Sequence, residues 1–300
     1  MSKSIAILMS TYNGEKYLGA QLKSISEQSL INDIAVYIRD DGSSDSTVSI
    51  VKKWMEKIEI TLYEAPNVGP ARSFWELLCN SNIVADYYLF CDQDDIWDKA
   101  KVEESVSVLH GNCVLSICNS RYIDKYQKIV KDKRLETIPE LTLENLFVSG
   151  VAQGCVMAFS NKLRNFLIEK QLKYIPMHDI IVMMYAQIIG NIVWIEKPLM
   201  SYRLHDSNVV AKNKKSGFKK IKTILLNWSN SKNVSMASVA CEMLKNEDLL
   251  SEDEKIFLRN MSNYRNSLSS KLFIIRDKKC TSIWPGATRS FKTRVLFNLL

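Results

Sequence analysis

The sequence predicts an α/β protein: a Rossmann-like, mostly parallel sheet flanked by helices, followed by a small, helical, basic C-terminal region. Three observations predict it. Over the first hundred residues, short apolar runs alternate with polar turns and helix-like segments, the pattern of a parallel sheet covered on both faces. Three of the first four runs end in clusters of Ser, Asn, Asp and Gly. The charge also divides along the chain: residues 1–211 hold 22 basic and 26 acidic residues, whereas residues 212–300 hold 18 and 7.

Taken in order, residues 5–9 form the first strand, which breaks at Asn13-Gly14. Tyr17, Leu18, Leu22 and Ile25 then recur at helical spacing. Residues 34–38 are the second strand, ending in Asp40-Asp41-Gly42-Ser43-Ser44-Asp45, whose Ser and Asp side chains suit the start of a helix holding Val48, Val51 and Trp54. Residues 58–63 form a third strand, and Asn67-Val68-Gly69-Pro70 turns the chain into a helix near 73–78. Residues 87–91 form a fourth, ending in Asp92-Gln93-Asp94-Asp95. Further on, strands are expected near 114–120 and 192–194, a glycine-containing loop feeding a strand over 150–159, and helices over 142–147 and 177–189. From Lys212 the chain reads as two or three helices without strands, so the predicted domains are 1–211 and 212–300.

Composition narrows the function class. At 300 residues, with 46% hydrophobic and 24% charged, the chain is long enough for one large domain and an appendage. Seven cysteines without a C-x-x-C pair, most of them in apolar runs, point to reduced thiols and a cytoplasmic setting rather than disulfides or zinc. The apolar start is too short for a signal-peptide core. Residues 180–195, interrupted by Gln187, Gly190 and Asn191, fall short of the roughly 20 apolar residues a membrane span needs. Six lysines lie between Lys212 and Lys222, just before Ile224, Leu225, Leu226 and Trp228, and basic and apolar residues mix again over 289–300. That mixture suits peripheral binding to a membrane surface. Nucleic acid is not expected, because stacking aromatics do not interleave with the lysines.

In open α/β sheets ligands bind beyond the carboxyl ends of the strands. The clusters Ser10–Asn13, Asp40–Gly42 and Asp92–Asp95 should therefore line one edge. Three carboxylates within four positions repel one another unless a cation joins them. Oxygen ligands of this kind fit Mg²⁺ or Mn²⁺ together with substrate phosphates. The local alternative is that Asp94 or Asp95 caps a helix over 96–102.

These motifs resemble family 2 glycosyltransferases of the GT-A fold, through Ser10-Thr11-Tyr12-Asn13-Gly14, Asp40–Asp45, Asn67-x-Gly69-Pro70-Ala71-Arg72 and Asp92-Gln93-Asp94-Asp95-Ile96-Trp97. Gln153-Gly154-Cys155, His178-Asp179 and Tyr202-Arg203-x-His205 continue the likeness. The wording is similar to that of bacterial rhamnosyltransferase-type members. The resemblance implies an inverting, metal-dependent transfer of one sugar from a nucleotide diphosphate, dTDP-rhamnose or a UDP-sugar, to a lipid-linked cell-surface polysaccharide precursor. It implies that Thr11, Tyr12 and Glu15 border the nucleoside, that Asp41 meets the base edge, and that Asp40 supports that loop. Asn67 and Arg72 would lie beside ribose or diphosphate, and Asp92 beside ribose and sugar. Asp94 would hold Mn²⁺ or Mg²⁺, with His205 in reach of it and Arg203 near the diphosphate. Gly154 would admit the donor sugar, Asp179 would be the catalytic base, and His178 would orient Asp179 or touch the acceptor. The competing expectations are a sugar nucleotidyltransferase, disfavoured by the lack of a Gly- and Arg-rich loop after the first strand, and a non-catalytic assembly partner of the same fold.

Overall fold

The computed structural model describes residues 4–205 and 236–300. The lysine cluster at 212–222 and the apolar stretch ending at Trp228 lie outside the described residues. The chain divides into two compact units. The first comprises Met1–Ile138, Ala152–Gln171 and Met177–Asp206. The second comprises Pro139–Val151, Leu172–Pro176 and Ser207–Leu300.

The first unit is built on a nine-stranded mixed sheet. Its opening half follows the predicted alternation: β1 (Ile5–Thr11), α1 (Leu18–Ser26), β2 (Ile34–Asp40), α2 (Thr47–Trp54), β3 (Ile60–Glu64), α3 (Pro70–Cys79) and β4 (Tyr87–Cys91). These four strands are parallel in the order β3-β2-β1-β4. All of β4 and all but one residue of β1 are buried, as expected of central strands covered on both faces. Pro70 at the first turn of α3, after Gly69 at φ +82°, is the expected helix-start chemistry.

Beyond β4 the sheet turns antiparallel. After β5 (Ile96–Trp97), α4 (Lys101–Ser107), β6 (Cys113–Ile123) and β7 (Ile129–Lys131) comes β8 (Met157–Ser160), which pairs antiparallel with both β4 and β6. Helices α6 (Asn161–Glu169) and α7 (His178–Ile189) lead to β9 (Asn191–Arg203), which runs parallel to β6 and antiparallel to β5. Two corrections follow. Asp94 and Asp95 cap no helix, because Ile96–Trp97 is a strand and α4 starts only at Lys101 with no side-chain cap. And β9 is one strand running through Pro198, which sits opposite Asn119 where the register shifts; proline has no N–H, so an irregularity is where a strand tolerates it.

The second unit, as described, is helical. Helix α5 (Leu143–Val148) opens with a reciprocal capping box between Thr142 and Asn145. Helices α8 (Met236–Leu244), α9 (Glu252–Asn263), α10 (Leu268–Arg276) and α11 (Ala287–Leu296) follow. Phe147 packs edge-on against Phe257 in its interior. Among the described residues no helix is long and apolar enough to cross a membrane.

Candidate active site

The parallel register sets Thr11 beside Asp40 and Met9 beside Cys91, so the ends of β1, β2 and β4 share one edge. Thr11 Oγ1 donates to Asp40 Oδ2 (2.9 Å), and the Ser43 hydroxyl and N–H donate to the same carboxylate (2.6 and 2.8 Å). Thr11 and Asp40 are thereby buried loop builders. Asp41 is buried too. Its carboxylate accepts from Val68 N (3.0 Å) and Gly69 N (2.9 Å) and forms an ion pair with Arg39. Arg39 in turn reaches Glu76 (3.0 Å) and the Pro66 carbonyl (3.2 Å). The contacts Asp41 makes here are thus with its own chain: it fastens the Asn67–Pro70 turn to β2.

Tyr12 is half exposed, and its backbone N–H and carbonyl are both held by the Gln93 side chain (2.9 and 3.0 Å). Gln93 also explains Gly14, where a Cβ would stand 2.2 Å from Gln93 Oε1. Glu15 Oε2 accepts from Ser46 N (3.0 Å), at the start of α2. The favourable placement of a carboxylate before exposed helical N–H groups is the physical reason. Asn67 and Arg72 are exposed, Arg72 Nε bonding Glu76 Oε1 (3.0 Å) one turn along α3.

The antiparallel pairing of β5 with β9 carries the end of β9 onto the acidic turn. His205 Nε2 lies 2.7 Å from Asp94 Oδ2. Arg203 N donates to Asp95 Oδ1 (3.2 Å), and Arg203 Nε to the Asp94 carbonyl (2.9 Å). Its guanidinium lies over the Tyr17 ring (4.7 Å), and the same ring lies 5.0 Å from His205. Arg203 is buried, so what it holds is the backbone of the acidic turn. Burial, the Asp94 charge and that of Asp179 push the Asp92 carboxyl up to about 7, partly offset by the Cys155 thiol. Asp95, fully buried beside Asp94 and Asp92, is raised well above the usual carboxylate range, and its Oδ2 has no partner among the described residues.

His178 and Asp179 open α7, whose cap residue Met177 offers no side-chain bond. Asp179 Oδ1 accepts from Ile180 N (2.8 Å), and its carboxylate is also bonded by the Gly154 N–H. Burial raises this carboxyl to about 6, against those bonds. His178 is stacked on Phe74 (4.2 Å) and edge-on to Phe90 (4.7 Å). Burial lowers it to about 3, so the ring is neutral. A Cβ at Gly154 would lie 2.5 Å from His178 Nε2, so glycine here makes room for this histidine.

Two groups of donor atoms could take a cation. Asp94 and His205 combine a hard oxygen and an imidazole, with side chains 21% and 11% exposed. Asp92, Asp95 and Cys155 offer ligand atoms within 4.8 Å of one another. The first pair fits Mn²⁺ or Mg²⁺ better, because the Asp95 and Cys155 side chains are sealed in and a thiol is a soft ligand for these hard cations. Sequence reading gave no site role to Arg39, Gln93, Tyr17 or Cys155. It also passed over Lys101, a fully buried lysine whose Nζ donates to the Cys155 carbonyl (3.0 Å) and lies over Trp97 (4.1 Å). Arg39 stands at the end of an apolar run, directly before Asp40 and Asp41, and Gln93 and Cys155 stand inside motifs that carry the family likeness.

A protein-family model described as glycosyl transferase family 2 matches residues 6–161. The chain belongs to that family. The transferase is 28% identical over 235 residues to the dTDP-rhamnosyl transferase RfbG of Shigella flexneri, covering 73% of this chain and 80% of that one. Its fold matches S. aureus TarS 1–349, solved in complex with UDP-GlcNAc, with a TM-score of 0.62 at 17% identity, over 99% of this chain and 80% of that one. It also matches the mannosyltransferase PcManGT from Pyrobaculum calidifontis, solved with GDP-Man and Mn²⁺, at a TM-score of 0.55 and 14% identity, over 99% and 88% of the two chains. The fold is GT-A, and the transferase resembles rhamnosyltransferases within its family.

Proposed function

We propose that this glycosyltransferase moves a single sugar, with inversion, from a nucleotide diphosphate onto a lipid-linked precursor of a cell-surface polysaccharide. The observation that carries the reading is Asp179: a carboxylate raised to about 6 by burial, near enough to Asp92 for their charges to interact. A base of that strength is mostly ionised at neutral pH, where it can accept a proton, and is stronger than an ordinary carboxylate. Asp179 takes the acceptor hydroxyl's proton as that oxygen attacks the anomeric carbon. The bond from that carbon to the diphosphate oxygen breaks, and the nucleoside diphosphate leaves toward the acidic turn. No covalent enzyme intermediate forms.

Asp94 and His205 are the residues that would hold Mn²⁺ or Mg²⁺, whose chemistry is to neutralise the departing diphosphate. Arg203 fixes the turn that presents Asp94. Tyr12, with its exposed ring, would cover the nucleoside, and Asn67 and Arg72, also exposed, are free to approach ribose or diphosphate. A base edge reaching Asp41 would have to share its carboxylate with the Val68 and Gly69 N–H groups. We assign donor and acceptor chemistry to residues 1–211 and an accessory role to the basic region 212–300, in a reducing cytoplasmic setting consistent with seven free cysteines.

For the donor we place dTDP-rhamnose first and a UDP-sugar second; the likeness to a protein named dTDP-rhamnosyl transferase supports that order. The test is thermal unfolding with UDP, dTDP, GDP or ADP, each with Mn²⁺ and with EDTA. A ligand at 100 times its dissociation constant stabilises by about 2.7 kcal/mol. A Mn²⁺-dependent shift with dTDP or UDP is expected, and silence from both would sink the proposal.

A further inference from the structure

In the second unit α10 and α11 run antiparallel. Lys271 Nζ donates to the Leu296 carbonyl (3.4 Å), and Lys292 Nζ to the Asp277 carbonyl (3.4 Å). Tyr264 Oη, just before α10, donates to the Leu300 carbonyl (2.7 Å), just after α11. The start of α10 and the end of α11 therefore meet at one end of the hairpin. Three large apolar side chains stand in solvent there: Leu268 at 70% exposure, Leu296 at 49% and Phe297 at 61%. They are not needed to fill the interior, since Ile274, Phe291 and Val295 already supply the buried faces of the two helices.

Cations surround that end. Arg265 and Arg294 bond the last carbonyls of the chain, at Leu300 and Leu299, and Lys271 lies one turn along α10. Of the eight basic residues over 265–300, Arg265, Lys271 and Arg294 lie at this end, while the single acid of that stretch, Asp277, follows the far end of α10. Exposed leucine and phenylalanine beside three basic side chains match a phase that is anionic at its surface and hydrocarbon beneath. An acidic protein could meet the cations, but it would need a shaped apolar recess for three separate side chains. A lipid surface admits them without one.

We propose that this end of the α10–α11 hairpin docks on an anionic lipid surface, with Leu268, Leu296 and Phe297 entering the headgroup region and Lys271 and Arg294 meeting lipid phosphates. The inference turns the membrane expectation from stretches of sequence into a surface, adding Leu268 and Lys271, and it depends on no step of the transfer chemistry.

The experiment is flotation of the full chain with phosphatidylcholine vesicles, with and without phosphatidylglycerol. Binding only to the anionic vesicles, weakening as salt rises, is expected. In the doubly substituted Leu268→Asn, Phe297→Asn protein it should fall at least ~10-fold. Equal binding to neutral vesicles, no binding to either kind (as a protein-only partner would give), or full binding by the double variant would each overturn the proposal. The Mn²⁺-dependent nucleotide shift, measured on the same double variant, reports that it is folded and keeps failure here separate from failure of the transferase reading.

Discussion

Asp179 carries a carboxyl buried at some cost to the fold. Its carboxyl is raised to about 6 by burial. Between its unfolded value near 4 and that folded value, the folded chain holds more protons than the unfolded one. Its contribution to stability is therefore full below pH ~4 and is lost as pH rises through about 6. Asp179→Asn should leave the unfolding temperature at pH 7 unchanged or higher while lowering kcat at least ~10²-fold. Parallel melting and rate measurements decide it; collapse of the fold would return Asp179 to a structural role. In the wild type, activity should decline as pH falls through about 6. Gly154→Ala tests the neighbouring contact. The new Cβ would stand 2.5 Å from a ring already held between Phe74 and Phe90. An overpacking cost of about 1–3 kcal/mol, with a loss of rate, is expected in urea titration and kinetics. A neutral result would show that His178 can move.

At the scale of elements, the joint between β2 and α3 rests on Arg39. The Arg39 and Asp41 side chains are 5% and 3% exposed, and Arg39 also binds Glu76 on α3 and the Pro66 carbonyl of the intervening turn. Removing one member of such a pair leaves a buried charge uncompensated, so Arg39→Ala should cost about 3–5 kcal/mol in chemical denaturation. A loss below about 1 kcal/mol, the size of an exposed pair, would show the site to be wetter than the structure indicates. The elements themselves were largely readable. Apolar runs marked β1, β2 and β4, Gly69-Pro70 marked the start of α3, and Thr142 with Asn145 marked α5. The short β5 was not readable, because two residues carry no periodicity and the neighbouring aspartates looked like a helix cap.

For the molecule as a whole, the consequential feature is the gathering of Asp92, Asp94 and Asp95 at the edge of a slightly acidic first unit, with Asp179 close enough to be felt by Asp92. Such a cluster gains when a divalent cation arrives, so Mn²⁺ should raise the unfolding temperature in the presence of UDP or dTDP, and EDTA should reverse the gain. Asp94→Ala should abolish both this response and turnover. An undiminished Mn²⁺ response in that variant would move the site to Asp92, Asp95 and Cys155. The second unit carries its own charge signal in the last 36 residues, where cations outnumber acids eight to one.

Periodicity, turn residues and charge order are local properties, and they sufficed for the α/β class, the shared edge of the first strands and the family likeness. Pairings across long stretches of chain are not local. His205 meets Asp94 across 111 positions because β9 lies antiparallel to β5, and the Gly154 N–H reaches Asp179 because β8 enters the sheet beside β4. Burial is likewise a property of neighbours that sequence does not display: it raises the Asp179 carboxyl, keeps His178 neutral and gives Asp41 and Arg203 partners within the chain. Side-chain identity set which chemistry was available here, and packing set which of those groups are exposed, paired or shifted enough to perform it.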